Sequence, residues 1–321
     1  MKTSRLVVYF LMFWVIVSCR DDDGDINPGT VVPPQTLAET QIENDAEIVS
    51  FLQTHFYNYE EFETPPAGFN FKIKFDTIAG ANADKLPLID FVQTQTIKEV
   101  SSTFGRDDEE EVDHILYFLT ARVGEGDEEN SPTIGDNTVL QYEGSLLDGT
   151  LFDAASTPVN QYLSGGLIRG YANGVEKFNA GIGPMENGDG TVSFENYGVG
   201  AIFIPSGLGY FSNPPTGSGI PAYAPLIFKI DLLAFEKDTD FDGDGIPSIL
   251  EDVDGDGNLN NDNTDGDSEP FSVFLANHND TDDDNDGIPT IDEIELDEDG
   301  KFAGFKDTDG DGTPDHLDND N

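Results

Sequence analysis

The sequence predicts an α+β protein: an antiparallel sheet with one short helix, preceded by a smaller α/β extension and followed by an acidic tail that needs bound ions to be organised. Three observations predict it. Between residues 114 and 236, strand-like runs separated by Gly and Asp-Gly turns surround a single helical stretch. Upstream of that region, apolar residues recur first at helical and then at strand spacing. From Asp238 to Asn321, 29 acidic residues stand against two lysines, which is more than half of the chain's net charge of −49.

The chain begins with Lys2 and Arg5 ahead of an apolar run from Leu6 to Val17. That run is short of the roughly 20 residues that span a bilayer, and reads as a signal peptide covering residues 1–19. Its end, Ile16-Val17-Ser18-Cys19, resembles the lipobox of bacterial lipoproteins. The resemblance implies cleavage that leaves Cys19 as a lipidated first residue, and so an outer-membrane lipoprotein facing the periplasm or the cell surface. An ordinary signal peptide with an incidental cysteine is the other reading. Residues 20–36, with Arg20-Asp21-Asp22-Asp23 and then Gly, Pro and Val, cannot form a core and read as a flexible tether. The acidic tract resembles a surface-export signal and reads equally as a solvated linker.

Residues 37–113 form the N-terminal extension. Ile42, Ala46, Val49, Leu52 and Phe56 fall at spacings of three and four, which predicts an amphipathic helix over 39–56. Phe69, Phe71, Ile73 and Phe75 alternate with polar residues, which predicts a half-buried strand. Residues 80–113 carry no clear period, and "RDDEEEVD" reads as a loop. Next, "HILYFLTARVGEGD" predicts a strand, and "TVLQYEGSLLDGTLFDAA" predicts two strands about an Asp-Gly turn. "GLIRGYANGVEKFNAG" predicts a short helix with Val175 and Phe178 on one face, and "GAIFIPS" and "PLIFKIDLLAFE" predict the remaining strands.

The blocks "VLQYEGSLLDGTLFDAA", "LIRGYANGVEKF", "FIPSGLGY" and "IPAYAPLIFKIDLLAFE" occur in the order found in FKBP-type peptidyl-prolyl isomerases, which residues 114–236 resemble. The resemblance implies an antiparallel sheet wrapped around a short helix, with a substrate proline held in an aromatic-lined pocket between them. It places Tyr142, Phe152 and Asp153 on one wall and Leu167 and Ile168 just before the helix, where the Ile168 N–H would hold a substrate carbonyl. Tyr210 would donate its hydroxyl to a carbonyl, and Ile220 and Phe228 would close the far wall. Tyr171 stands where most relatives place tryptophan, implying a shallower or more polar floor. Val159 replaces a common aromatic, implying a thinner wall. "ENGDGTVSFENYGVG" is longer than the usual connection and contains the turn Asn187-Gly188-Asp189-Gly190.

The tail, residues 237–321, repeats a pattern of carboxylates two apart followed by glycine. Asp240, Asp242, Asp244 and Glu251 occupy positions one, three, five and twelve of a calcium loop, with Ile246 at the position that offers a backbone carbonyl. Asp282, Asp284, Asp286, Ile288 and Glu293 repeat the pattern, and so do Asp307, Asp309, Asp311, Thr313 and Asp318. Asp252, Asp254 and Asp256 begin a partial copy, with Asn263 where the closing acid belongs. Without long flanking helices these loops resemble thrombospondin type-3 repeats, which implies an ion-organised segment with almost no apolar core. A disordered acidic spacer is the alternative.

Composition also excludes. So acidic a chain does not bind nucleic acid generically, and divalent cations or basic peptides are its natural counter-charges. A single cysteine forbids an intramolecular disulfide and any cysteine-based zinc site. The four histidines are scattered, and the Gly-rich dipeptides are turns outside any nucleotide fingerprint. The expected function is therefore a monomeric, lipid-anchored peptidyl-prolyl isomerase acting on proline-containing exported polypeptides, with no catalytic cofactor and with Ca2+ in the tail. The alternative is a non-catalytic surface protein that binds peptides or mediates adhesion. Nothing in the sequence couples tail to pocket, so independent modules are expected.

Overall fold

The computed structural model describes residues 34–126, 130–266 and 274–319. Cys19, its lipobox and the acidic tract after it lie outside the described residues. The first element is helix α1 (Leu37–Thr54), opened by a capping box in which Thr36 and Glu39 satisfy each other's backbone N–H. Strand β1 (His55–Tyr57), helix α2 (Tyr59–Glu63) and strand β2 (Phe75–Thr77) follow, with β1 and β2 paired as a small antiparallel ribbon. Then come β3 (Val92–Val100), β4 (Glu111–Arg122), β5 (Asn137–Leu146), β6 (Leu151–Tyr162) and α3 (Arg169–Val175). A hairpin of β7 (Ile182–Glu186) and β8 (Val192–Glu195) precedes β9 (Gly198–Ile204) and β10 (Leu226–Glu236). Among its described residues the tail holds only short helical turns and the hairpin of β11 (Ile294–Leu296) and β12 (Phe302–Phe305).

Six strands form one antiparallel sheet in the order β3-β4-β9-β10-β5-β6. Both of its faces are buried, and period-two alternation divides them. Leu116 and Phe118 of β4, Ile202 and Ile204 of β9, and Phe228, Ile230 and Leu232 of β10 face α3. Tyr117 and Leu119, Ala201 and Phe203, and Ile227 face α1 and the segment after it. The sheet is thus sandwiched between α1 on one side and α3 on the other.

Several expectations from the extension change. Helix α1 forms, but its buried face holds Leu37, Thr40, Asn44, Ile48, Phe51 and Leu52, while Ile42 is 67% exposed. The reason is polar. The Asn44 amide donates to the Tyr223 carbonyl at 2.9 Å, and its Oδ1 accepts from the Ser206 N–H at 2.7 Å, so an asparagine occupies a core position. Phe69, Phe71 and Ile73 alternate in burial but are not a strand; Phe71 sits at φ +54°, which interrupts extended backbone. The illegible region contains β3, which joins the main sheet as its edge, and β4 starts inside the acidic run at Glu111. The extension is therefore a layer of the same compact unit, residues 34–321, as the strands that follow. The long connection after α3 is the β7–β8 hairpin, turning at Asn187–Gly190.

The tail also differs from an apolar-poor appendage. Leu259 is fully buried in the same core cluster as Phe228 and Ile202, and Ile249 packs against that cluster. The Phe241 ring stacks on Tyr162, with centroids 4.0 Å apart and planes at 5°. Thr239 accepts from the Asn137 N–H at 3.0 Å and donates its own N–H to Asp136 at 3.2 Å. Arg169, the first residue of α3, donates to the Asp256 carbonyl at 2.8 Å and also pairs with Glu99.

Candidate active site

A cavity of about 240 Å³ opens between the α3 face of the sheet and the loop that joins β9 to β10. Tyr142 comes from β5, Phe152, Asp153 and Gln161 from β6, Leu167 and Ile168 from the approach to α3, and Tyr171 from α3 itself. Tyr210, Pro215, Ser218 and Ile220 come from the β9–β10 loop, and Phe228 from β10. All nine residues singled out from the sequence line this one cavity. Gln161, Gly166, Pro215 and Ser218 were not singled out. Gln161 follows Tyr171 by chemistry rather than by motif, since a phenol at a buried floor requires an acceptor.

Phe152 and Tyr171 meet Phe228 edge to face, and Tyr142 is tilted at 48° to it. Phe228 stands at the centre, with centroid distances of 4.9 Å to Tyr171, 5.5 Å to Phe152 and 6.2 Å to Tyr142. They can converge because residue 144, on β5, is glycine: a Cβ there would lie 2.6 Å from the Phe152 ring and 2.9 Å from that of Phe228.

Four polar features punctuate this surface. The Tyr142 hydroxyl donates to Asp153 Oδ2 at 2.7 Å, and the Ala154 N–H donates to Oδ1 at 2.9 Å, so the carboxylate is held at both oxygens. Burial, together with that carboxylate, pushes the Tyr142 phenol up to about 12, so it remains a donor at neutral pH. The Tyr171 hydroxyl donates to Gln161 Oε1 at 2.7 Å, giving a polar patch on the floor. The Tyr210 hydroxyl makes no hydrogen bond among the described residues, and the Ile168 N–H, at the N-cap of α3, meets no backbone carbonyl among them. Both donors are free for a ligand. Val159 packs against the core beside Leu140 and does not line the cavity, so its replacement of an aromatic leaves the wall intact.

A second cavity of about 570 Å³ shares Leu167, Ile168 and Tyr210 with the first and is bounded by Asn258, Asn260 and Asn261 of the tail. The cleft thus continues from the aromatic pocket onto the acidic loops.

In the loops, glycines at position six adopt positive φ: +99° at Gly245, +97° at Gly287 and +105° at Gly312. The first and last loops share one hydrogen-bond pattern. Asp240 accepts from Gly243 at 2.8 Å and Gly245 at 3.0 Å, and Asp307 accepts from Gly310 at 2.7 Å and Gly312 at 3.2 Å. Carboxylate oxygens of Asp240, Asp242 and Asp244 gather within 4.8 Å of one another, as do those of Asp252, Asp254 and Asp256, of Asp282, Asp284 and Asp286, and of Asp307, Asp309 and Asp311. Glu293 and Asp318 belong to no such cluster among the described residues. In the partial copy Asp262, one residue before Asn263, caps the start of the loop, accepting from Val253 at 3.1 Å and Asp254 at 3.2 Å. Oxygens of Asp242, Asp244, Asp252, Asp262, Asp282 and Asp284 are buried with no hydrogen-bond partner. All-oxygen donor sets of this kind fit a hard divalent cation.

A protein-family model described as FKBP-type peptidyl-prolyl cis-trans isomerase matches residues 128–233. FK506-binding protein 1 of Dictyostelium discoideum is 31% identical over 111 residues, which cover 33% of this chain and 88% of that protein. The FKBP-type peptidyl-prolyl cis-trans isomerase FkpA of Aeromonas hydrophila is 29% identical over 174 residues, 51% of this chain and 53% of its own length, so the match spans about half of that relative. Among solved structures, a peptidyl-prolyl cis-trans isomerase of Pseudomonas syringae aligns over 64% of this chain and 100% of its own, with 14% identity and a TM-score of 0.34.

Proposed function

Because the chain belongs to the FKBP-type peptidyl-prolyl cis-trans isomerase family, we propose that it accelerates rotation about X–Pro bonds of exported polypeptides bound in the cavity at α3. The planar amide resists rotation by about 20 kcal/mol, and no covalent bond has to break. The pocket therefore needs neither nucleophile nor cofactor. Its apolar walls take the pyrrolidine ring out of water, which disfavours the charge-separated planar amide relative to the twisted form. The Ile168 N–H and the Tyr210 hydroxyl bind carbonyls flanking the proline, and Asp153, fixed by Tyr142 and Ala154, sets the electrostatics of the rim. Residues beyond the proline run into the neighbouring cavity along Asn258 and Asn261.

The observation that carries this reading is the cavity itself, where four aromatic rings converge beside one anchored carboxylate and two free donors. A protease-coupled isomerisation assay on the full chain, with and without an FKBP-directed macrolide, tests it. Inhibitable turnover is expected. Folded protein without turnover would leave a peptide-binding module.

The same proposal places the chain at a membrane through lipidated Cys19 and gives the tail calcium at its four loops. Cys19 supports the first through its position after the apolar run, and the orphaned buried carboxylates support the second. Mass spectrometry of the mature N-terminus checks the anchor. Calcium titration checks the tail.

A further inference from the structure

Asp283 is the second residue of the loop Asp282–Glu293, a position whose side chain points away from the loop's own ion site. Its backbone is tied into that loop, since its N–H donates to Thr290 Oγ1 at 3.2 Å. Its carboxylate instead meets the first loop. Oxygens of Asp244, Glu251 and Asp283 lie within 4.8 Å of one another, and the three residues are 2%, 2% and 1% exposed. Both oxygens of Glu251, both of Asp283 and Oδ2 of Asp244 are buried without a hydrogen-bond partner. Among the described residues no lysine or arginine forms an ion pair with any of them.

Three carboxylates enclosed together without counter-charge are not stable as anions. The surroundings nevertheless hold the two loops in register. A Cβ at Gly245 would lie 2.4 Å from Ile291 Cδ1 and 3.0 Å from Ile294 Cδ1, so the third loop is packed directly on the first.

We propose that Asp244, Glu251 and Asp283 hold one calcium ion between the first and third loops, with Asp283 supplied in trans by the loop that has its own ion elsewhere. Donors that are all carboxylate oxygen select a hard divalent cation over a transition metal. The ion staples the third loop onto the first, and the first is itself stacked on Tyr162 through Phe241. The inference rests on the reading of the tail as calcium-binding.

The test is calorimetric calcium titration of the full chain, wild type against Asp283→Asn, with thermal melts of both in chelator and in calcium. Loss of one site, or its weakening by roughly tenfold or more, is expected with the other sites unchanged. The calcium-free variant should melt above the calcium-free wild type, because an amide needs no proton uptake to be buried there whereas the carboxyl does, while the calcium-loaded order reverses. A purely structural Asp283 would lower both melts. Asp292→Asn, an exposed acid in the same loop, should change neither. Equal stoichiometry and affinity in Asp283→Asn would overturn the bridge alone; a wild type that binds no calcium would overturn the bridge together with the calcium reading of the tail.

Discussion

Leu259→Ala separates a tail that merely follows the isomerase fold from one that completes its core. Leu259 lies deep in the acidic region, in a segment with no other large apolar residue between Val253 and Phe271, yet it is 0% exposed and belongs to the cluster around Phe228. Removing its buried carbons forfeits about 2–2.5 kcal/mol of transfer energy at about 0.8 kcal/mol per methylene, and the residual cavity raises the total to about 3–4 kcal/mol. For a unit of this size each kcal/mol lowers the melting temperature by about 2–4 °C, so a drop of roughly 6–16 °C is expected. Circular dichroism melts in saturating calcium read it at a wavelength dominated by the sheet. Leu250→Ala, 46% exposed in the same tail, is the control and should stay within about 1 kcal/mol. Chelation should act in the same direction, lowering the melt of the sheet itself. A Leu259→Ala protein whose sheet melts within 1 °C of wild type would refute the shared core and restore independent modules.

The pocket and the buried histidine yield three further predictions. Tyr210→Phe removes a donor worth about 1–1.5 kcal/mol, so kcat/KM in the protease-coupled assay should fall about tenfold with the melt unchanged; equal activity would remove its role. Gly144→Ala places a methyl against Phe152 and Phe228, and overpacking of about 1–3 kcal/mol should displace both rings and lower kcat/KM by about tenfold or more. His114 is fully buried with both ring nitrogens unpartnered, and burial lowers it to about 4 from an ordinary 6.5. Between those values the unfolded chain takes a proton that the native ring refuses, so stability falls as pH drops from about 6.5 toward 4, by about 3 kcal/mol. His114→Leu, compared with wild type across that window by denaturant unfolding, should lack this slope; parallel curves would assign the acid sensitivity elsewhere.

The strands around the pocket were legible because their side chains obey a simple period. Tyr117 through Phe203 and Ile227 alternate between two buried faces, and the Asp148-Gly149 turn marks the β5–β6 hairpin. Where polar atoms take core positions, period fails. Asn44 turned α1 by holding the backbone at Tyr223 and Ser206, and no hydropathy pattern contains that bond. Strand β3, reading Val-Gln-Thr-Gln-Thr-Ile-Lys-Glu-Val, buries only Ile97 and Glu99 because it is an edge, so its sequence carries little apolar signal. In the pocket, ordered blocks identified the aromatic set, whereas Gln161, Pro215 and Ser218 are defined by where the chain folds back. Asp283 was missed for a related reason: ligand spacing within one loop says nothing about carboxylates presented by another.

The composition boundary at Asp238 is real in charge and absent in packing. The charge change reflects what each side must neutralise: strands bury apolar faces, and acidic loops need cations. Packing follows the few apolar and hydrogen-bonding groups that survive in the acidic stretch. Thr239 stands just before the first loop and Phe241, Ile246, Ile249 and Leu259 lie in the first two, and this is the stretch that meets Asp136, Tyr162 and the α3 cluster. Arg169 closes the same seam, its side chain 12% exposed between Glu99 and Asp256, one residue after the N–H at Ile168 assigned to substrate. The loop carrying Asp256 is one proposed to hold calcium, and an ion there would fix the backbone that Arg169 grips at the start of α3. The tail thus borders the pocket through packing, at Leu259 and at the Asp256 carbonyl gripped by Arg169.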